Sequence, residues 1–231
     1  SFHVFNDGFF LSAFSESTYY QFEDLDPLTD KGFNNFIKAN NLTQENESRI
    51  VFFDNPSMFV PSDLFEINDS KNYLSNYTNL KPNHEIIYET TDDNKIKIVY
   101  QKNNKVNLTF KNFFTKLHLT HYSRILYNDI NKYIELNITS ELNLFIHLQN
   151  NQFDMFLYKN DYLLIYNCFP HSKKDDFLYY LFALVEQYNL SANSFEITFL
   201  EKFDRFKNYY LALEDFHERI NFIKNINTSK D

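Results

Sequence analysis

Two stretches of this chain run through the same succession of elements, and a repeated order of strands and helices restricts the fold more than any compositional bias does. In the later stretch, ELNLFIHLQ (Glu141 to Gln149), FDMFLYK (Phe153 to Lys159) and YLLIYNCF (Tyr162 to Phe169) are aromatic and branched runs separated by short polar turns. They predict an antiparallel meander. SKKDDFLYYLFALVEQYNL follows, with Phe177, Tyr180, Leu181, Leu184, Val185 and Tyr188 at helical spacing and Ser172 with Asp175 as a capping-box-like start. SFEITFL (Ser194 to Leu200) then returns as a strand through a right-handed crossover. The N-terminus has the same order: SFHVFN, FFLSAF and TYYQF as strands, a helix from about Leu28 to Asn40, and RIVFFD (Arg49 to Asp54) as the returning strand. Asp7-Gly8 marks the first hairpin, glycine supplying a positive φ.

Between the repeats, VPSDLF (Val60 to Phe65) and NYLSNYTNL (Asn72 to Leu80) predict short helices. HEIIYET and KIKIVYQK predict a hairpin across TDDN, and VNLTFKNFF (Val106 to Phe114) a helix. KLHLTH (Lys116 to His121) reads as a strand, and SRILYNDINKYIEL as a helix connecting to the second repeat. The tail from Phe203 has helical periodicity, with a short strand around Tyr209 to Leu213. The expected architecture is α/β in two lobes, residues 1–134 and 135–231, each a βββαβ unit with a mixed sheet and flanking helices.

Charge and composition narrow the function. Of 231 residues, 22 are Lys or Arg and 31 Asp or Glu, a formal net charge of −9 that repels phosphate backbones in general. The stretch Lys95 to Lys116 is the local exception: it holds six lysines, no acid, and Phe110, Phe113 and Phe114. Lysines interleaved with aromatics suit single-stranded nucleic acid, whereas Lys95 and Lys97 alternating with Ile96 and Ile98 suit a guarded edge strand. The single Cys168 allows no intramolecular disulfide and fits a reducing cytoplasm, as a buried apolar residue or a reactive thiol. No apolar run approaches the roughly 20 residues that span a bilayer, so no membrane partner is expected.

The repeated unit, with the phrases NDGF, FVPSDLF, YNCF before DDFLYYLFALVEQYNL, and EITFLEK, resembles an uncharacterised bacterial family of the actin, sugar-kinase and Hsp70 superfamily, whose lobes are ribonuclease H-like. In active members, that resemblance implies, the first turn of each lobe is an Asp-x-Gly-Ser/Thr-like loop holding nucleotide phosphates and positioning a metal. The matching positions here are Asn6, Asp7, Gly8 and Phe9 in the first lobe, and Gln149, Asn150, Asn151 and Gln152 in the second. Metal-facing acids and hydroxyls are missing from that pattern. The whole chain has only Gly8 and Gly32, too few for a phosphate-cradling loop of converging main-chain N–H groups. Asp7 is then either a relic metal ligand or a turn aspartate.

Other chemistry is sparse. His118 and His121 have an HxxH spacing without the third ligand zinc requires, so they are also read as strand-end or partly buried histidines. His147 shares the face of Phe145 and reads as a satisfied histidine in a core or between lobes. The helix Asp175 to Leu190 is apolar nearly all round in its first half, which predicts cover on two sides: its own sheet, and the other lobe or another chain. The sequence thus points to a non-catalytic scaffold or protein-interaction module of the bacterial cytoplasm, with an unknown protein partner, no cofactor, no metal site and no catalytic residues. The alternative is a divergent nucleotide- or small-molecule-binding enzyme using an interlobe cleft.

Overall fold

The computed structural model describes residues 1–5, 7–13, 16–22, 30–53, 56–82, 84–137, 140–191 and 194–223. The chain forms two compact units, one up to Tyr127 and one from Asn128.

The first unit opens with strands β1 (Phe2–Val4), β2 (Gly8–Ala13) and β3 (Glu16–Gln21), helix α1 (Asp30–Ala39) and strand β4 (Ser48–Phe52). It continues with β5 (Met58–Pro61), helix α2 (Ser70–Ser75), the hairpin β6 (His84–Thr90) and β7 (Ile96–Asn103), helix α3 (Asn104–Phe113), β8 (Leu117–His121), and helix α4 (Tyr122–Leu136), in which the division between units falls. The main sheet has the order β3-β2-β1-β4-β8. Its first three strands are antiparallel, while β1, β4 and β8 run parallel. A second, antiparallel sheet has the order β5-β7-β6.

The second unit holds β9 (Leu142–Leu148), β10 (Gln152–Lys159), β11 (Tyr162–Pro170), helix α5 (Lys174–Gln187), β12 (Glu196–Leu200), helix α6 (Lys207–Glu214) and β13 (Ile220–Ile223). Its sheet has the order β11-β10-β9-β12-β13, with the antiparallel meander and the parallel β9, β12 and β13 of the first unit. The two sheets therefore share one topology, and each repeat extends to βββαβαβ: α3 leads into β8 as α6 leads into β13.

Each core follows from strand alternation meeting helical spacing. In the second unit Leu144, Ile146 and Leu148 of β9 and Phe153, Met155 and Leu157 of β10 put one sheet face against Phe177, Leu181 and Leu184 of α5 and Tyr210 and Leu213 of α6. In the first, Phe2, Phe9 and Phe52 meet Phe36 of α1 and Phe110 of α3, with the Phe2 and Phe110 rings edge to face at 4.7 Å.

With glycine almost absent, asparagine takes four of the five left-handed positions among the described residues, Glu201 (φ 74°) the fifth. Asn41 (φ 51°) follows α1 and Asn189 (φ 50°) follows α5, each succeeded by an N–H reaching back five residues: Leu42 to Ile37 O at 3.0 Å and Leu190 to Val185 O at 2.9 Å. Asn94 (φ 60°) and Asn160 (φ 54°) do the same in hairpin turns. Gly8 does not have a positive φ, contrary to expectation. What its position requires is space, because a Cβ there would lie 2.2 Å from the Tyr20 carbonyl oxygen.

Four other expectations are corrected. Val60 to Phe65 is not a helix: Met58–Pro61 pairs with β7, so β7 is a central strand and its lysines guard no edge. The strand expected near Tyr209 to Leu213 is helix α6, and the tail's strand is Ile220–Ile223. The N-terminus of α5 is secured by Asp176 and not by Asp175. Finally, among the described residues the outward line of α5 is open, with Tyr179 69% and Phe182 38% exposed.

Candidate functional site

The positions singled out by the loop pattern are the first hairpin turn of each lobe. In the first lobe Asn6 lies outside the described residues. Asp7 is exposed, and its carboxylate accepts the Tyr19 hydroxyl proton at 2.6 Å, while its carbonyl accepts the Phe22 N–H at 2.8 Å. Burial, then the Asp7 bond and charge, push the Tyr19 phenol well above its usual range, so it stays a donor. Gly8 is buried under the Tyr20 carbonyl.

In the second lobe the turn joins β9 to β10. Gln149 N–H closes it on Gln152 O at 2.9 Å, with Asn150 and Asn151 exposed at the tip. His171, at the end of β11, holds the turn by its carbonyls. Its N–H donates to Asn151 O at 3.0 Å, and its Nε2 lies 2.8 Å from Gln149 O. A carbonyl only accepts, so Nε2 donates to it, and Nδ1 shares a hydrogen bond of 3.0 Å with the Tyr209 hydroxyl. A phosphate loop turns main-chain N–H groups outwards; this turn has its Gln149 carbonyl fixed by an imidazole and its Asn151 carbonyl by the main-chain N–H of the same residue.

Behind it lies a buried polar network on the sheet face opposite α5. His147 on β9 stands opposite Asp154 on β10, which stands opposite Cys168 on β11. His147 Nδ1 donates to Asp154 Oδ2 at 3.0 Å, Gln149 Nε2 donates to the same oxygen at 3.3 Å, and the Tyr166 hydroxyl donates to Oδ1 at 3.0 Å. Asp154 is fully buried, and these donors satisfy both of its carboxyl oxygens. His147 is thus the satisfied core histidine that its parity suggested; its partner Asp154 was not anticipated.

Beside the turn, Pro170, His171, Lys173, Asp175, Tyr179 and Tyr180 line a cavity of about 490 Å³ at the start of α5. There Asp176 Oδ2 accepts the Ser172 N–H (2.9 Å), the Ser172 hydroxyl (2.8 Å) and the Lys173 N–H (3.2 Å). These bonds, the Ser172 amide first, hold its carboxyl below the ordinary carboxylate range. Sequence reasoning missed this cavity; the polar run HSKKDD between an apolar strand and an apolar helix was its one visible mark.

The remaining candidates separate. His118 is exposed beside Glu47 (3.4 Å), while His121 is fully buried against Ser123 (2.7 Å); three residues apart on a strand, they face opposite ways and cannot chelate one ion. Among the described residues no group of three or more His, Cys, Asp or Glu is placed to hold a metal. In the lysine stretch Phe110 and Phe114 are buried in the core and Lys102 pairs with Glu85 at 3.1 Å, so lysines and rings do not alternate on one surface. Cys168 is buried. Among the described residues no helix is long and apolar enough to cross a membrane.

Two sheets of identical strand order, each an antiparallel meander continued by parallel crossover strands, define an actin-like fold. The solved structures agree. A protein of actin-like ATPase fold and unknown function from Bacteroides thetaiotaomicron superposes with a TM-score of 0.78 at 14% identity, over 96% of this chain and 89% of that one. A PilM-PilN type IV pilus biogenesis complex contains a chain that matches with a TM-score of 0.53 at 8% identity, over 96% and 87%. No curated protein matches significantly. The chain belongs to the family described as Protein of unknown function (DUF3822), whose model matches residues 2–220.

Proposed function

We propose that this protein is a non-catalytic scaffold or protein-interaction module of the bacterial cytoplasm, whose two hairpin turns are relics of phosphate loops that have become structural fastenings. The observation that carries the reading is the second turn, where His171 occupies the carbonyls of both Gln149 and Asn151. The same turn spends the Gln149 N–H on the Gln152 carbonyl and the Gln149 side-chain amide on Asp154. At the first turn the Asp7 carboxylate is bound by Tyr19. Further support comes from the match in fold to a chain of the PilM-PilN type IV pilus biogenesis complex.

The test is capture from the native cell. The full chain used as bait is expected to retain one protein in near-stoichiometric amount, equally with ATP–magnesium and with EDTA. Retention that requires nucleotide, or no retained protein at all, contradicts the reading.

A further inference from the structure

Helix α5 buries Phe177, Leu181 and Leu184 on its own sheet, yet its outward line is not polar. Asp175, Tyr179, Phe182 and Glu186 follow one another at intervals of four, three and four residues, so they form a single stripe, and all four are exposed. The exposed Phe216, just after α6, widens it: its ring meets that of Phe182 edge to face, with centroids 5.1 Å apart. Single exposed aromatics are ordinary, but three forming a continuous surface, two of them in contact, mark a docking face.

Charge decides what can cover it. At the Asp175 end, Lys173 and Lys174 balance Asp175 and Asp176. The Phe182 and Phe216 end has an excess of acid: Glu186 lies one turn beyond Phe182, and Glu214, Asp215 and Glu218 flank Phe216, all exposed and none in an ion pair among the described residues, while the neighbouring Arg219 is paired with Glu196. A second copy of a chain with net charge −9 would bring acid against acid, and an anionic lipid surface would be repelled in the same way.

We infer that the stripe Tyr179–Phe182–Phe216 docks a segment of a partner protein that presents apolar side chains followed, at one end only, by a cluster of Lys or Arg. The line from Asp175 to Glu186 on which the stripe lies is about 16 Å long at 1.5 Å rise per residue, enough for about five residues of extended peptide or three turns of helix. This rests on the protein-interaction reading above and adds the surface and the partner's chemistry.

The experiment is selection from a random peptide library displayed on phage, panned against the full chain. Enriched peptides are expected to join an apolar run to a basic end, to lose about tenfold or more in affinity for Phe182→Glu, and to weaken similarly for the double variant Glu186→Lys, Asp215→Lys. The altered residues are exposed, and an unchanged melting temperature establishes that each variant folds; Phe216→Ser repeats the test should Phe182→Glu not fold. Peptides that bind Phe182→Glu as well as the parent, or that lack a basic end, overturn the inference while leaving an interaction module with its surface elsewhere. A dimer in sedimentation that dissolves on Phe182→Glu overturns it in favour of a second copy. No enrichment at all counts against both the inference and the interaction reading.

Discussion

The imidazole of His171 donates from Nε2 to the carbonyl oxygen of Gln149, 2.8 Å away, and so ties the end of strand β11 to the turn between β9 and β10. Because Nδ1 of the same ring is hydrogen-bonded to the Tyr209 hydroxyl on α6, one side chain joins the meander, its first turn and the last helix. His171 is 6% exposed, so these bonds have little competition from water.

Replacing His171 by Ala leaves the Gln149 carbonyl and the Tyr209 hydroxyl without their partner. The expected loss is about 1–3 kcal/mol in urea unfolding, with faster amide exchange at Gln152 than elsewhere in the sheet. Unchanged stability and exchange would show that the turn holds itself.

Helix α5 separates its inner and outer faces sharply. Leu181 is 1% exposed, so Leu181→Asp places an unpaired charge in the core and unfolds the unit, while Leu184→Ala costs about 2–5 kcal/mol. Tyr179→Ser, on the outer face, stays within about 0.5 kcal/mol of the parent. A soluble, cooperatively melting Leu181→Asp protein would contradict this packing.

Gly8 is held by space and not by φ. A single added methyl in Gly8→Ala meets the Tyr20 carbonyl oxygen, which is backbone and can move only with β3. The strand must shift, at about 1–3 kcal/mol, and thermal melting should register it. Neutral behaviour would mean that β3 is not fastened against β2 at this turn.

Glu89 supplies a pH test. Burial raises its carboxyl above the ordinary value, although the His121 N–H at 2.7 Å and the Arg124 guanidinium at 3.7 Å pull it back. A raised carboxyl contributes fully below its unfolded pKa and loses that contribution as pH rises through the folded value. Glu89→Gln keeps an acceptor for His121 and leaves Arg124 with Asp92 at 2.6 Å. It should therefore match the parent in acid and gain stability relative to it as pH rises to neutral; the opposite trend in denaturation midpoints would make Glu89 an ion-pair anchor.

Much of the fold was legible because alternation in β9 to β11 and 3.6-residue spacing in α5 each agree with burial over a whole element. The misreading at Val60 came from Pro61-Ser62-Asp63, which looks like a helix start but here ends strand β5. That error then deprived β7 of a neighbour, making a central strand look like an edge. Strand β13 has only four residues, too short for alternation to outweigh the helical periodicity before it. Of the candidate site, Gln149 to Gln152 could be located by element order. The hold of His171 on that turn depends on strand register and loop closure across 22 positions, which no local pattern encodes. His147 shows its face by parity, whereas its pairing with Asp154 needs the register of two strands.

The central claim is that the hairpin turns fasten the lobes and do not hold nucleotide phosphates. Its most direct test is isothermal titration of the full chain with ATP and magnesium. Several charge-assisted contacts worth about 1.5–3 kcal/mol each lack the loop hydroxyls and metal-facing acids that would make them, so no saturable heat is expected up to millimolar nucleotide. A saturable signal in the micromolar range, lost when Asn150 and Asn151 are both replaced by Pro, would contradict it.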